Sequence, residues 1–212
     1  MLAELPAEEV RRLLAIARRR RFSKGEVVFH QHDPADSLHL VAKGRFAVRV
    51  MTPVGDVVTV AVRGVGENFG EMALVDDKPR SATVAALEES ETFAVHRDDF
   101  ARLRREHPSV ERILLAFLTA EVRTLSERLL EALFMPVEKR VRRRLLGLAE
   151  IYPGDDGRPL VTLTQEAIAE LAGASRATVN EVLRAEEAHG TLELSRGRTR
   201  ILDLETLRRR AQ

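Results

Sequence analysis

The chain of 212 residues is longer than one average domain and carries 34 Lys and Arg against 33 Asp and Glu, so it has room for two cores and any nucleic-acid surface must be local. It contains no cysteine, which excludes disulfides, thiolate zinc sites, cysteine-ligated iron–sulfur clusters and thiol nucleophiles. No apolar run approaches the ~18–20 residues that span a bilayer, and the acidic start MLAELPAEEV is unlike a secretory signal, so a cytoplasmic protein with no membrane partner is expected.

Residues 6–19 place Val10, Leu13, Leu14 and Ala17 at helical spacing behind a proline, which predicts a short amphipathic helix ended by the Arg18–Arg21 run. From Phe22 to about Val95 the pattern changes to short alternating strands at 26–29, 37–41, 46–50 and 57–62. Gly25, Asp33-Pro34, Gly44, Gly55, Gly64 and Gly66 punctuate them. That spacing predicts an antiparallel β-barrel or roll.

Residues 98–106 are helical again, Pro108 can open the next helix, and from Ser109 to Phe134 the chain has neither glycine nor proline. Leu115, Leu118, Val122, Leu125, Leu129 and Ala132 follow one another at steps of three and four, an apolar seam of heptad type. An ordinary core-facing helix has the same pattern. A further set, Ile113, Leu114, Phe117, Leu130 and Leu133, lies off the seam, so the helix has enough apolar surface for its own barrel and a partner helix together. Met135-Pro136 breaks it, because proline removes a donor and disfavours helix before it.

Beyond this hinge the pattern predicts a helix over 137–151, a turn at 153–159, a strand over 160–163, helices over 165–172 and 176–189, and two strands around Gly197. In TQEAIAELAGASRATVNEVL, Ala169 is small where two helices cross, Gly173 suits the turn, and Val179 and Val182 close the core beneath. Thr164 and Ser175 stand at N-cap positions. The second helix offers Arg176, Ala177, Thr178, Asn180, Glu181 and Arg184 on its polar side, with Arg176 the leading candidate to fork onto guanine. Residues 192–204, with Arg196, Arg198 and Arg200 at or beside Gly197, read as a hairpin wing whose arginines contact phosphates. A generic αα-turn is the competing reading.

The segment Phe69-Gly70-Glu71-Met72, followed by Arg80-Ser81-Ala82, combines a glycine turn with an acid and an arginine. A cyclic phosphodiester needs a cation and several donors, and a ribose hydroxyl suits a carboxylate. An internal Glu71–Arg80 ion pair without ligand is the plain alternative. FGEMALVDDKPRSATV resembles the phosphate-binding cassette of cyclic-nucleotide-binding domains, and the order of the chain resembles the cyclic-AMP receptor protein (CRP/FNR) family of bacterial transcription regulators.

The resemblance implies an α+β fold: a jelly-roll-like cyclic-nucleotide-binding β-roll over 1–107, a dimerisation helix and hinge over 108–135, and a winged helix-turn-helix over 136–212. It implies that Arg80 and Ser81 hold the cyclic phosphate, Gly70 and Glu71 the ribose, and that Phe69, Met72 and Ala82 help to wall the pocket. Leu125 and Ser126 align with the Thr-Ser pair that reads adenine in cyclic-AMP-responsive members, so one hydroxyl is replaced by an apolar group. The family's Arg-Glu-x-x-x-Arg reading set stands here with Ala177 and Glu181. Glu181 either accepts from cytosine or repels phosphates and relies on Arg184. The implied partners are a second copy along the Leu115–Leu129 seam, palindromic double-stranded DNA and RNA polymerase. The implied effector is cyclic AMP or cyclic GMP, with no metal and no catalysis; a different effector or constitutive activity stays open. A nucleotide-binding enzyme is disfavoured because no nucleophile–base pair or metal-ligand cluster surrounds the cassette. His30, His32, His39 and His96 read as surface or core histidines rather than haem ligands.

Overall fold

A computed structural model describes residues 7–76, 78–154 and 156–212. The chain divides into two compact units, Met1–Val57 with Ala61–Ser126, and Val58–Val60 with Glu127–Gln212.

In the first unit, helix α1 (Ala7–Ile16) buries Leu13. The arginine run does not cap it: Arg18–Phe22 forms strand β1, paired antiparallel with β8 (Ser90–His96) from Arg18↔Ala94 to Phe22↔Ser90. This corrects the sequence expectation. The strand stands at a sheet edge, where only Phe22 must be buried, and Arg19 and Arg21 are neutralised across the pair by Glu91. A run of one charge carries no periodicity, so its strand character was invisible.

The predicted strands appear as β2 (Val27–Phe29), β3 (Ser37–Lys43), β4 (Phe46–Met51) and β5 (Val57–Arg63), followed by β6 (Asn68–Phe69) and β7 (Thr83–Ala86). They form two four-stranded antiparallel sheets, β1-β8-β3-β6 and β2-β7-β4-β5. Phe22, Val41 and Phe69 from the first meet Phe46, Val84 and Ala86 from the second in one buried cluster, which is the core of the roll.

His39 lies in that core. Its Nδ1 is 3.0 Å from the Thr92 hydroxyl, its Nε2 is 3.3 Å from Ser37 Oγ, and its ring stacks on Phe69 at 5.1 Å. Burial, with Arg80 and Arg20 adding their repulsion, lowers its pKa to about 3, so the folded roll holds it neutral. Between pH 6.5 and about 3 the unfolded chain binds a proton that the folded one does not, and stability therefore falls as pH falls. The expected slope is ~1.4 kcal/mol per pH unit. Urea unfolding of wild type and His39→Gln, followed through roll methyl signals, checks this: the two curves should diverge from wild type's steeper acid loss, and parallel pH dependences would contradict it.

A second cluster joins Leu13, Leu38 and Leu40 to Phe100 and Leu103 of α2 (Arg97–Glu106) and to Ile113, Leu114 and Phe117 of α3 (Glu111–Phe134). A 3-10 turn, Pro108–Val110, precedes α3. The long helix thus buries part of its off-seam set on the roll. Leu115, Val122, Leu125 and Leu129 are each more than half exposed, whereas Leu118 is partly covered by the same cluster. None of the described helices is long and apolar enough to cross a membrane.

In the second unit, Pro136 caps α4 (Val137–Ile151), which buries Val141, Leu145, Leu148 and Ala149. Helices α5 (Gln165–Ala172) and α6 (Arg176–Ala188) follow, and β9 (Leu160–Val161), β10 (Leu192–Ser195) and β11 (Arg198–Ile201) form a sheet ordered β10-β11-β9. Two expectations are corrected. The strand at 160–163 is only two residues long, because Thr164 already caps α5. The wing ends at Ile201, because the Asp203 carboxylate accepts from Thr206 N at 2.9 Å and starts α7 (Leu204–Arg210), which buries Leu207.

Candidate functional sites

Gly70 follows β6 with φ +78°, and residues Glu71–Leu74 form a 3-10 turn. The chain returns to Arg80, whose backbone N–H donates to Asp33 O and whose carbonyl accepts from His32 N, both at 2.9 Å. Its guanidinium is inside: Nη1 donates to Ser37 O at 2.7 Å, Nη2 to Ser37 Oγ at 3.0 Å and Asp36 Oδ1 at 3.1 Å, and the ring of Phe29 lies 3.9 Å beneath. Arg80 therefore pairs with Asp36, and the Glu71–Arg80 pair considered from sequence is not among its contacts. A Cβ on Gly70 would stand 2.7 Å from Arg80 Nη1 and 2.9 Å from Ser37 O, so glycine is what lets the guanidinium lie across this turn.

Burial raises the Asp36 carboxyl, but the Ser37 hydroxyl and Arg80 outweigh it and hold it below the usual range. Arg80 is 5% exposed, and its Nε–H has no partner. An orphaned, charged donor in a buried position costs stability unless an acceptor meets it, and a phosphodiester oxygen is such an acceptor. The residues present fit that group. A cavity of about 370 Å³ opens beside the arginine, lined by Arg20, Phe29, Asp36, Ser37 and His39 among others.

Ser81 is exposed, its Oγ only 3.7 Å from Met72 Sδ, which leaves the hydroxyl able to serve a stronger acceptor. Phe69 stacks into the aromatic core and Ala82 is buried, while Met72 stays half exposed. Glu71 accepts from Asn68 Nδ2 at 3.3 Å. On α3, Ser126 Oγ donates to the Val122 carbonyl at 2.9 Å, and Leu125 is exposed. Sequence reasoning missed Phe29, Asp36 and Ser37; Asp33-Pro34 announced the turn between β2 and Asp36, and nothing in it announced the arginine cradle.

In the second unit the caps stand as read. Thr164 Oγ1 accepts from Ala167 N at 3.2 Å, Ser175 Oγ accepts from Thr178 N at 3.0 Å, and Gly173 adopts φ +58° between the helices. Arg176 is exposed in the first turn of α6 and lines a cleft of about 600 Å³ with Gln165, Glu166 and the wing residues Arg196, Gly197 and Arg198. Asn180 accepts from Gln165 Nε2 at 3.4 Å, and Glu181 points to solvent. Arg184 donates to Glu187 at 2.7 Å. Glu187 also accepts from Leu194 N at 3.1 Å and thereby ties α6 to the wing. Arg196 and Arg198 are exposed, whereas Arg200 is paired with Asp156 at 2.7 Å.

Glu186, on the inner side of α6, is fully buried. It accepts from Arg142 Nε at 2.7 Å, Arg210 Nε at 2.9 Å and the Thr191 hydroxyl at 2.7 Å. Among the described residues, no group of three or more His, Asp or Glu is placed to hold a metal ion.

Comparison with known proteins matches residues 19–107 to the cyclic nucleotide-binding domain and residues 139–210 to the Crp-like helix-turn-helix domain. The chain is 36% identical over 193 residues to a cyclic AMP receptor protein of Thermus thermophilus, covering 91% of this chain and 88% of that one. It is 33% identical over 195 residues to a CRP-like cAMP-activated global transcriptional regulator of Mycobacterium tuberculosis, covering 90% and 87%. The solved c-di-GMP responsive regulator CLP of Xanthomonas campestris shares the fold, with a TM-score of 0.75 at 23% identity over 93% of this chain and all of that one. With a cyclic nucleotide-binding roll, a helix-turn-helix and these relatives together, the chain belongs to the cyclic AMP receptor protein (CRP/FNR) family of transcription regulators.

Proposed function

We propose that the protein is a cytoplasmic, homodimeric regulator whose affinity for palindromic DNA is gated by cyclic AMP or cyclic GMP in the roll. The observation that carries the reading is the buried, unpartnered Nε–H of Arg80 beside Gly70 and Ser81. Arg80 and Ser81 hold the cyclic phosphate, Gly70 and Glu71 the ribose, Phe69, Met72 and Ala82 bound the pocket, and Leu125 and Ser126 close on the base. The names of the Thermus and Mycobacterium relatives favour cyclic AMP. Dimerisation follows the seam Leu115, Leu118, Val122, Leu125 and Leu129, since four of these five are large apolar side chains left exposed on one helix. In this arrangement residues 1–107 sense, 108–135 pair, and 136–212 bind DNA and position the protein for RNA polymerase.

On the DNA, Arg176 reads a base edge, Thr178, Asn180, Glu181 and Arg184 flank it, the caps Thr164 and Ser175 present backbone N–H groups to phosphates, and Arg196 and Arg198 hold the backbone. Alanine at Arg176 is expected to cost ~1–3 kcal/mol of discrimination at one position of each half-site and little at others. Competition binding against single-base variants of the selected site measures it; a uniform loss at every position would make Arg176 a phosphate contact instead.

The reading is tested by selecting sites from a random duplex pool with and without cyclic AMP. Enrichment of palindromic sites with half-sites about 10 bp apart, only when nucleotide is present, is expected. Equal enrichment without nucleotide removes the gating, and enrichment of single half-sites removes the dimer.

A further inference from the structure

The Arg80 guanidinium meets the roll through both of its terminal nitrogens. Nη1 donates to the Ser37 carbonyl at 2.7 Å and to the Gly70 carbonyl at 3.4 Å. Nη2 donates to Ser37 Oγ at 3.0 Å and to Asp36 Oδ1 at 3.1 Å. Nε–H is left without an acceptor. A phosphodiester presents a pair of free oxygens, and a guanidinium grips such a pair with parallel N–H bonds from neighbouring nitrogens. Nε–H can supply one arm of that grip. The other arm falls to Nη2, on the same edge of the group, and its hydrogens are already committed.

The two acceptors on Nη2 differ in how firmly they are held. Ser37 begins β3, and its hydroxyl also stands 3.3 Å from His39 Nε2 in the core. Asp36 lies just before the strand. Its backbone is fixed, since its carbonyl accepts from Arg97 N at 2.7 Å, but its side chain is 62% exposed. The carboxylate's other bond, from the Ser37 hydroxyl at 2.8 Å, is a contact between sequence neighbours that water can replace. Asp36 can therefore turn aside into solvent without any movement of the chain, and an exposed carboxylate gives up its cation at little cost. It stands where a second ligand oxygen is needed, and it carries the ligand's own sign of charge.

We propose that Asp36 is an internal competitor for the cyclic phosphate: its carboxylate occupies the Nη2 arm of Arg80 until a bidentate anion displaces it, and so sets the affinity of the site. This rests on the assignment of Arg80 to that phosphate. Asp36 opposes the ligand twice, by holding a donor that the phosphate needs and by repelling its charge. In return it keeps a buried guanidinium paired whenever no ligand is bound, which a site built on an enclosed cation requires. Asp36 lies outside the cassette in sequence, so only its meeting with Arg80 in the roll reveals the arrangement.

Calorimetric titration of the full chain with cyclic AMP and cyclic GMP, at low and high salt, compares wild type with Asp36→Asn, Asp36→Ala and Asp33→Asn. Asp33 is the control, an acid of equal charge nearby whose carboxylate is committed to His30 N at 2.7 Å. Both Asp36 variants should bind about fivefold more tightly, the upper range for release of an exposed ion pair. Their affinity should also fall more steeply with salt, because the guanidinium then meets the phosphate without a neutralising carboxylate. Asp33→Asn should gain less. Equal gains in Asp33→Asn and Asp36→Asn overturn the proposal, since they mark a diffuse field rather than competition for the fork. Unchanged or weaker binding by Asp36 variants that circular dichroism shows to be folded overturns it as well, and makes Asp36 a support for Arg80; the cyclic nucleotide reading survives both results. Should neither wild type nor any variant bind either nucleotide, that reading falls and the competitor falls with it. Binding seen in the Asp36 variants and not in wild type is the competitor in its strongest form.

Discussion

Alanine at Arg80 is expected to lower cyclic nucleotide affinity by about 10²-fold or more, which amounts to ~3 kcal/mol or above. A guanidinium supplies charge-assisted hydrogen bonds of ~1.5–3 kcal/mol each, and a phosphodiester takes at least two. The fold should survive, because the one charge left behind among its partners, Asp36, is 62% exposed and water can hydrate it. Arg80→Lys should fall between, retaining charge but not the fork. Calorimetric titration alongside circular dichroism separates binding from unfolding. Undiminished affinity in a folded Arg80→Ala would place the phosphate elsewhere.

Alanine at Glu186 is expected to destabilise the DNA-binding unit by ~3–5 kcal/mol, the cost of breaking a buried pair from one side. The carboxylate holds Arg142 on α4, Arg210 on α7 and the hydroxyl of Thr191 together, so its loss leaves two partly buried cations without their shared counter-ion. The protein has one tyrosine and no tryptophan, and Tyr152 is 2% exposed at the end of α4, so its fluorescence reports this unit alone. Burial raises the Glu186 carboxyl, but Thr191, Arg142 and Arg210 outweigh it and lower its pKa below the usual 4.5. Its contribution is therefore complete above pH 4.5 and disappears as pH falls through the lowered value. The gap between wild type and variant in tyrosine-monitored melting should close on acidification; a gap that is constant with pH would assign the effect to cavity formation instead.

Elements with a period or a cap were legible in the sequence, and those fixed by meetings across space were not. The helix pair at α5 and α6 announced itself through Thr164, Gly173 and Ser175, because caps and a positive φ are local demands. Arg80 and Gly70 were legible as chemistry, yet the reason for Gly70 lies in its clearance from Arg80 and Ser37, which are 43 residues apart in sequence and adjacent only in the roll. β1 failed because four like charges have neither helical nor strand alternation. The short α7 failed because its seven residues carry one buried leucine, too little to show a face. Nothing in the sequence singled out Glu186: its partners Arg142 and Arg210 are distant along the chain, and a charged residue buried with two cations has no local mark.

The arginine-lined strand β1 has a consequence for how copies of this chain meet. It forms the outer border of its sheet, where unpaired backbone groups would otherwise accept a further strand. Two such borders approaching one another would bring rows of guanidinium groups into register, and Glu91 on the neighbouring strand, paired with Arg19 and Arg21, screens them in part. Strand addition at this edge is opposed by charge, and the same electrostatic barrier guards the β1 border of a nascent or partly opened roll against joining another.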